Sequence, residues 1–144
     1  MRKTLILLYI ATCFCMFSCE LHLEDNGALS GFWKLTTIEN HQDGTTIDVS
    51  EDEVFWGISY DLINIHRDKY NYNLIIPFRK EGKQITFISI NKENFHNSEP
   101  VIHDIDSLRP FGIYGLNESY TINNLNNSRM TISSSSATLQ FRKY

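Results

Sequence analysis

Apolar and polar residues alternate with a period of two along most of this chain. The clearest case is KYNYNLIIPFR (69–79), where Tyr70, Tyr72, Leu74, Ile76 and Phe78 share one face and Asn71, Asn73, Ile75, Pro77 and Arg79 the other. Such alternation predicts a strand with one core face. Pro77 lacks an amide for the ladder and is expected at a strand end, an edge or a bulge. The same reading predicts strands at GFWKLTTIE (31–39), GTTIDV (44–49), VFWGISYDLINIH (54–66), QITFISIN (84–91), ESYTINNL (118–125), SRMTISS (128–134) and ATLQFRK (137–143), with Gly57 bending the longest of them. Short polar connections at 67–69, 80–83 and 126–127 read as hairpin loops. No stretch reads as a long amphipathic helix.

Eight short antiparallel strands expose edges unless the sheet closes, so the expected fold is all-β: an eight-stranded up-and-down barrel. The interruption is KENFHNSEPVIHDIDSLRPFGIYGLN (92–117), 26 residues too apolar for disorder. It is expected to form a flap over one barrel end, with a helical turn near Asp104 to Leu108 stopped by Pro110 and Gly112.

The first 18 residues break the pattern. Arg2 and Lys3 precede the apolar run LILLYIATCFCMF, too short to span a bilayer, and Ser18 and Cys19 follow. These are the features of an export signal, and an ordinary secretion signal or an uncleaved anchor would share them. ELHLEDNGAL (20–29) is polar and acidic and reads as a tether. The division expected is signal 1–18, tether 19–29 and barrel domain 30–144.

At Ser18 and Cys19 the segment resembles a bacterial lipoprotein signal, whose cysteine is lipidated and becomes the first residue. That resemblance implies a chain held to the cell envelope through Cys19. Loss of Arg2 and Lys3 leaves 11 basic against 17 acidic residues, a net charge of −6. So acidic a surface is not expected to attract nucleic acid or anionic lipid headgroups. No thiol remains for a disulfide or a thiolate metal site.

Gly31 and Trp33 in SGFWKL resemble the G-x-W start of lipocalins, in which a basic residue of the last strand stacks over the tryptophan. The last strand here ends LQFRKY, so Arg142 or Lys143 takes that role. Lys143 shares a face with Leu139 and Phe141, and Arg142 with Gln140; Arg142 is favoured because a guanidinium stacks better on an indole than an ammonium does. Together with VFWGISYDLINI, RPFGI and MTISSSSATLQFRKY, these features resemble the lipocalin-like lipoproteins of Bacteroidetes. That family implies an outer-membrane lipoprotein on the periplasmic or surface side. Glu20, Glu24 and Asp25 resemble its surface-export stretch, and Asp106-Ser107-Leu108 its short O-glycosylation pattern.

Catalytic chemistry is not indicated. There is no G-x-S-x-G elbow, no H-E-x-x-H and no phosphate-cradling glycine loop. His103, Asp104 and Asp106 are the one dense group of metal-ligand types, and a cap on the helical turn is the simpler role for the acids. No enzyme activity, cofactor or metal is therefore expected. The aromatic surplus is core by default, but Tyr60, Tyr70, Tyr72, Phe87 and Phe111 could line a cavity beneath the flap for a small apolar or amphipathic ligand. The competing expectation is a filled barrel serving as a protein-interaction or inhibitor module.

Overall fold

A computed structural model of the chain describes residues 26–67, 72–93 and 102–144. The signal, Cys19, most of the tether, Tyr70 and residues 94–101 lie outside them. The described chain forms one antiparallel sheet of ten strand segments: β1 (Gly31–Asn40), β2 (Thr46–Asp48), β3 (Val54–Ser59), β4 (Leu62–Arg67), β5 (Tyr72–Glu81), β6 (Gln84–Phe87), β7 (Asn91–Lys92), β8 (Ser119–Leu125), β9 (Arg129–Ser133) and β10 (Ala137–Lys143).

Going round the sheet, β1, β3, β4, β5, β6, β8, β9 and β10 follow one another, and β10 pairs back onto β1 from Trp33↔Lys143 to Asn40↔Ala137. The sheet is an eight-stranded antiparallel up-and-down barrel, closed as the edge argument requires. The remaining segments are extensions: β2 continues the β3 edge of β1, and β7 continues the β6 edge of β5.

Two strand predictions fail in compensating ways. GTTIDV contributes only the three exposed residues of β2 and occupies no position of its own in the barrel. VFWGISYDLINIH is two strands, because Tyr60 adopts a left-handed φ of 52° and turns the chain back after Ser59. Gly57 does not bend it. That glycine pairs with Phe32 and Asn64 in the middle of β3, and a Cβ there would come 3.0 Å from Phe32 Cε2. A missing Cβ at this site makes room for an overlying ring rather than for a bend.

Alternate residues of each strand point inward, and the inward set, including Trp33, Trp56, Ile63, Ile65, Leu74, Ile76, Tyr120 and Leu139, is almost wholly excluded from solvent. Burial of this many large apolar side chains is the main stabilising term for a barrel of this size. A bulge between Leu35 and Thr37 changes the phase of β1, so that Trp33, Leu35 and then Ile38 face the core.

Register also defines two ends. The start of β1, the end of β10 and the β3–β4, β5–β6 and β8–β9 turns lie at one end, called the floor. At the opposite end, the mouth, lie Asn40, Ala137, Arg67, Tyr72 and Lys92. The mouth carries the flap, whose 3-10 helix (Asp106–Phe111) has Pro110 inside its last turn and ends at Gly112, left-handed with φ 82°. The glycine ends this helix and the proline does not: Pro110 forfeits one i→i+3 bond, but the turn continues past it, with the Gly112 amide donating to the Arg109 carbonyl at 2.9 Å.

Candidate functional site

At the floor, the 3-10 turn Gly27–Leu29 lays Leu29 into the core, and the carbonyl of Leu29 accepts from Trp33 Nε1 at 2.8 Å. The cation over Trp33 is Lys143, with Nζ 4.8 Å from the ring centroid, and not Arg142, which is exposed. Pairing explains the difference. Trp33 lies directly opposite Lys143, and side-chain parity along a strand outweighs the better stacking of a guanidinium. The ammonium also donates to the carbonyls of Ser30 at 2.9 Å and Ala28 at 3.4 Å. A Cβ at Gly31 (φ 130°) would sit 2.8 Å from Lys143 Cε, so the glycine makes room for the lysine stem. The floor is thereby closed.

The middle of the barrel is occupied by its own rings. Trp56 lies edge-on to Phe141 at 5.1 Å and to Tyr120 at 6.3 Å, and Phe87 packs 5.2 Å from Tyr120. Phe87 is thus a core residue within this cluster and not the wall of an open calyx. Trp56 Nε1 is a buried donor with no acceptor among the described residues.

Near the mouth sits Glu118, the one buried charged residue among those described. Its carboxylate accepts from Tyr120 Oη at 2.8 Å, from the Tyr114 amide at 3.2 Å and from Ser134 Oγ. Tyr120 Oη also approaches the Gly112 carbonyl at 3.2 Å. The flap backbone is tied to the barrel wall through these groups. Burial, and then the neighbouring carboxylate, push the Tyr120 hydroxyl well above its usual titration range, and burial raises Tyr114 in the same direction.

The mouth has a mainly apolar cleft of about 240 Å³ lined by Arg67, Tyr72, Ser107, Pro110 and Phe111, beside a polar one of about 280 Å³ lined by residues that include His41, Arg109 and Ser135. Tyr72 and Phe111 stack at 5.4 Å with their planes 19° apart. Lys92 Nζ stands 4.7 Å from the centre of the Tyr72 ring, and Arg67 is held by Asp52 at 3.4 Å. An aromatic wall beside Lys92, with Arg67 already paired to Asp52, suits a small apolar or amphipathic group.

Of the five residues expected to line a cavity, Tyr72 and Phe111 meet here. Phe87 is core, and Tyr70 lies outside the described residues. Tyr60 is exposed on the β3–β4 turn at the floor, the wrong end, because the strand assumed to carry it inward turns there. Nothing in the sequence distinguishes Arg67 and Lys92 from other strand-end cations. His103, Asp104 and Asp106 sit on the flap surface, where Asp104 Oδ1 accepts the Asp106 amide at 3.1 Å. Among the described residues no three His, Cys, Asp or Glu side chains are grouped to hold a metal ion.

A family model described as a lipocalin-like domain matches residues 13–144. The fold resembles a lipocalin-like protein from Bacteroides uniformis, with a TM-score of 0.60 at 19% identity over 82% of this chain and 100% of that one. It also resembles an uncharacterised protein from Bacteroides eggerthii, with a TM-score of 0.59 at 18% identity over 80% of this chain and 98% of that one. No curated protein matches the chain.

Proposed function

This chain belongs to the family of lipocalin-like domains, and from that premise we propose that it is a non-enzymatic binding module of the cell envelope. Its ligand is a small amphipathic molecule, taken at the mouth cleft and not in the barrel interior. The observation that carries this reading is the cleft wall formed by half-buried Tyr72 stacked on buried Phe111, with Pro110 and Arg67 lining the same cleft and Lys92 over the Tyr72 ring. The features of residues 1–19 support export and lipid attachment at Cys19, which would hold the barrel at the outer membrane.

Equilibrating the purified protein with a total envelope-lipid extract and identifying what it retains by native mass spectrometry tests the ligand. Retention by the wild type and its loss in Ser107→Trp, which fills the cleft from an exposed position, is the expected result. An empty wild type, or retention unaffected by the tryptophan, overturns it.

A second reading has its own observation in the ring-filled interior, which leaves the outer surface and loops as the working parts. On that reading the protein is an interaction or inhibitor module, and crosslinking in native envelopes yields one reproducible protein partner.

A further inference from the structure

The acidic net charge of the chain hides a separation of charge between its two ends. Of the ten Lys and Arg among the described residues, only Arg67, Lys92 and Arg109 lie toward the mouth. Exposed Arg79, Lys80, Lys83, Arg129 and Arg142, with half-buried Lys34 and the stacked Lys143, lie toward the floor. Of the twelve Asp and Glu, only Asp61 and Glu81 are at the floor, and the other ten are toward the mouth. Among the described residues the barrel has a basic closed end and an acidic open one, and the tether that leads to the floor adds Glu20, Glu24 and Asp25 in sequence before Asn26.

Exposed aromatic and apolar residues also gather at the floor. Phe32 is 48% exposed, Tyr60 56%, Leu62 42% and Tyr144 79%. Phe32 and Tyr144 are not loose: both pack on the outward ring of Phe55, at 5.9 and 5.1 Å, and the Tyr144 amide donates to the Phe32 carbonyl at 2.9 Å. Lys34 Nζ lies 5.9 Å from the same Phe55 ring. Aromatic rings among cations are the side chains that partition to the headgroup layer of a bilayer.

The chain also enters the fold at this end, since Asn26 Nδ2 donates to the Tyr60 carbonyl on the floor turn. Cys19 precedes Asn26 by seven residues, a span of at most about 25 Å when fully extended. We propose that the floor is a docking face for an anionic lipid surface, which it meets with its basic turns and the Phe32–Phe55–Tyr144 cluster, holding the mouth cleft away from the membrane. The tether argument rests on the proposed lipid at Cys19; the charge and aromatic arguments do not.

The test follows hydrogen exchange of the full-length, envelope-purified protein on vesicles of phosphatidylcholine alone or mixed with phosphatidylglycerol. On the anionic vesicles, amides of the floor turns at 81–84 and 126–129 slow while those at 42–45 and 103–107 near the mouth do not. Lys80→Glu with Lys83→Glu, on an exposed turn that tolerates both, abolishes the slowing, as does high salt. Unchanged floor exchange on anionic vesicles, or slowing at the mouth instead, overturns the proposal. Flotation separates it from the anchor: an acylated protein floats with phosphatidylcholine alone. If it does not, the anchor fails, and docking is read from flotation with the anionic vesicles. There the double variant should bind at least about tenfold more weakly, since each basic residue near such a surface is worth roughly fivefold. Equal flotation of variant and wild type overturns docking in that case.

Discussion

Lys143 shows how much a single residue can carry. It cradles the Trp33 ring, donates to two carbonyls of the entering chain and passes over the bare Cα of Gly31. Lys143→Ala is expected to lower stability by about 1–2 kcal/mol, whereas Arg142→Ala stays within about 0.5 kcal/mol; paired thermal melts check both. Gly31→Ala should cost about 1–3 kcal/mol, because it strains a φ of 130° and pushes the lysine off the indole. Tyr120 governs the alkaline side. Its hydroxyl titrates higher in the fold than in the unfolded chain, so the unfolded state loses the proton first and stability falls as pH rises above about 10. Tyr120→Phe weakens that dependence, leaving the smaller share from Tyr114, but strips a donor from buried Glu118, at about 1–3 kcal/mol at neutral pH. Urea melts at pH 7 and above pH 10 distinguish the two effects.

Among the elements, strands were legible wherever alternation ran unbroken, as in Tyr72–Glu81 and Ala137–Lys143. They were misjudged where geometry depends on one backbone torsion: nothing in GISYDL announces that Tyr60 turns left-handed. The bulge in β1 is equally silent, since Thr36 and Thr37 suit either face. The candidate site was half legible for the same reason. Aromatics on strands suggest a lining, but pairing register decides which of them reach the mouth, and register between distant strands is not written in either one. The flap, by contrast, is held at a point the sequence does mark. Gly112 combines a left-handed φ with an approach in which a Cβ would lie 2.8 Å from Leu139 Cδ2. Gly112→Ala is expected to cost about 2 kcal/mol or more and to speed hydrogen exchange across 106–114 more than in β10.

At the scale of the whole molecule, the two ends divide the labour: a closed basic floor, a ring-filled middle and an acidic mouth with an aromatic cleft. Substitutions at one end should therefore leave the other unaffected. Ser107→Trp is expected to abolish ligand retention without moving the melting temperature by more than a degree or two, and Lys143→Ala to do the reverse. Melting curves and native mass spectrometry on both variants check this.

The β1–β10 seam has a consequence in time. Its partners are the first and last strands, with Trp33 opposite Lys143 and Lys34 opposite Arg142. The barrel cannot be sealed until β10 has been made, so a nascent chain that stops before Ala137 carries two unpaired edges, on β1 and β9, however long it waits. Contacts this distant in sequence slow folding to milliseconds or longer. An exported chain of this topology would cross its membrane open, and would close only on the far side.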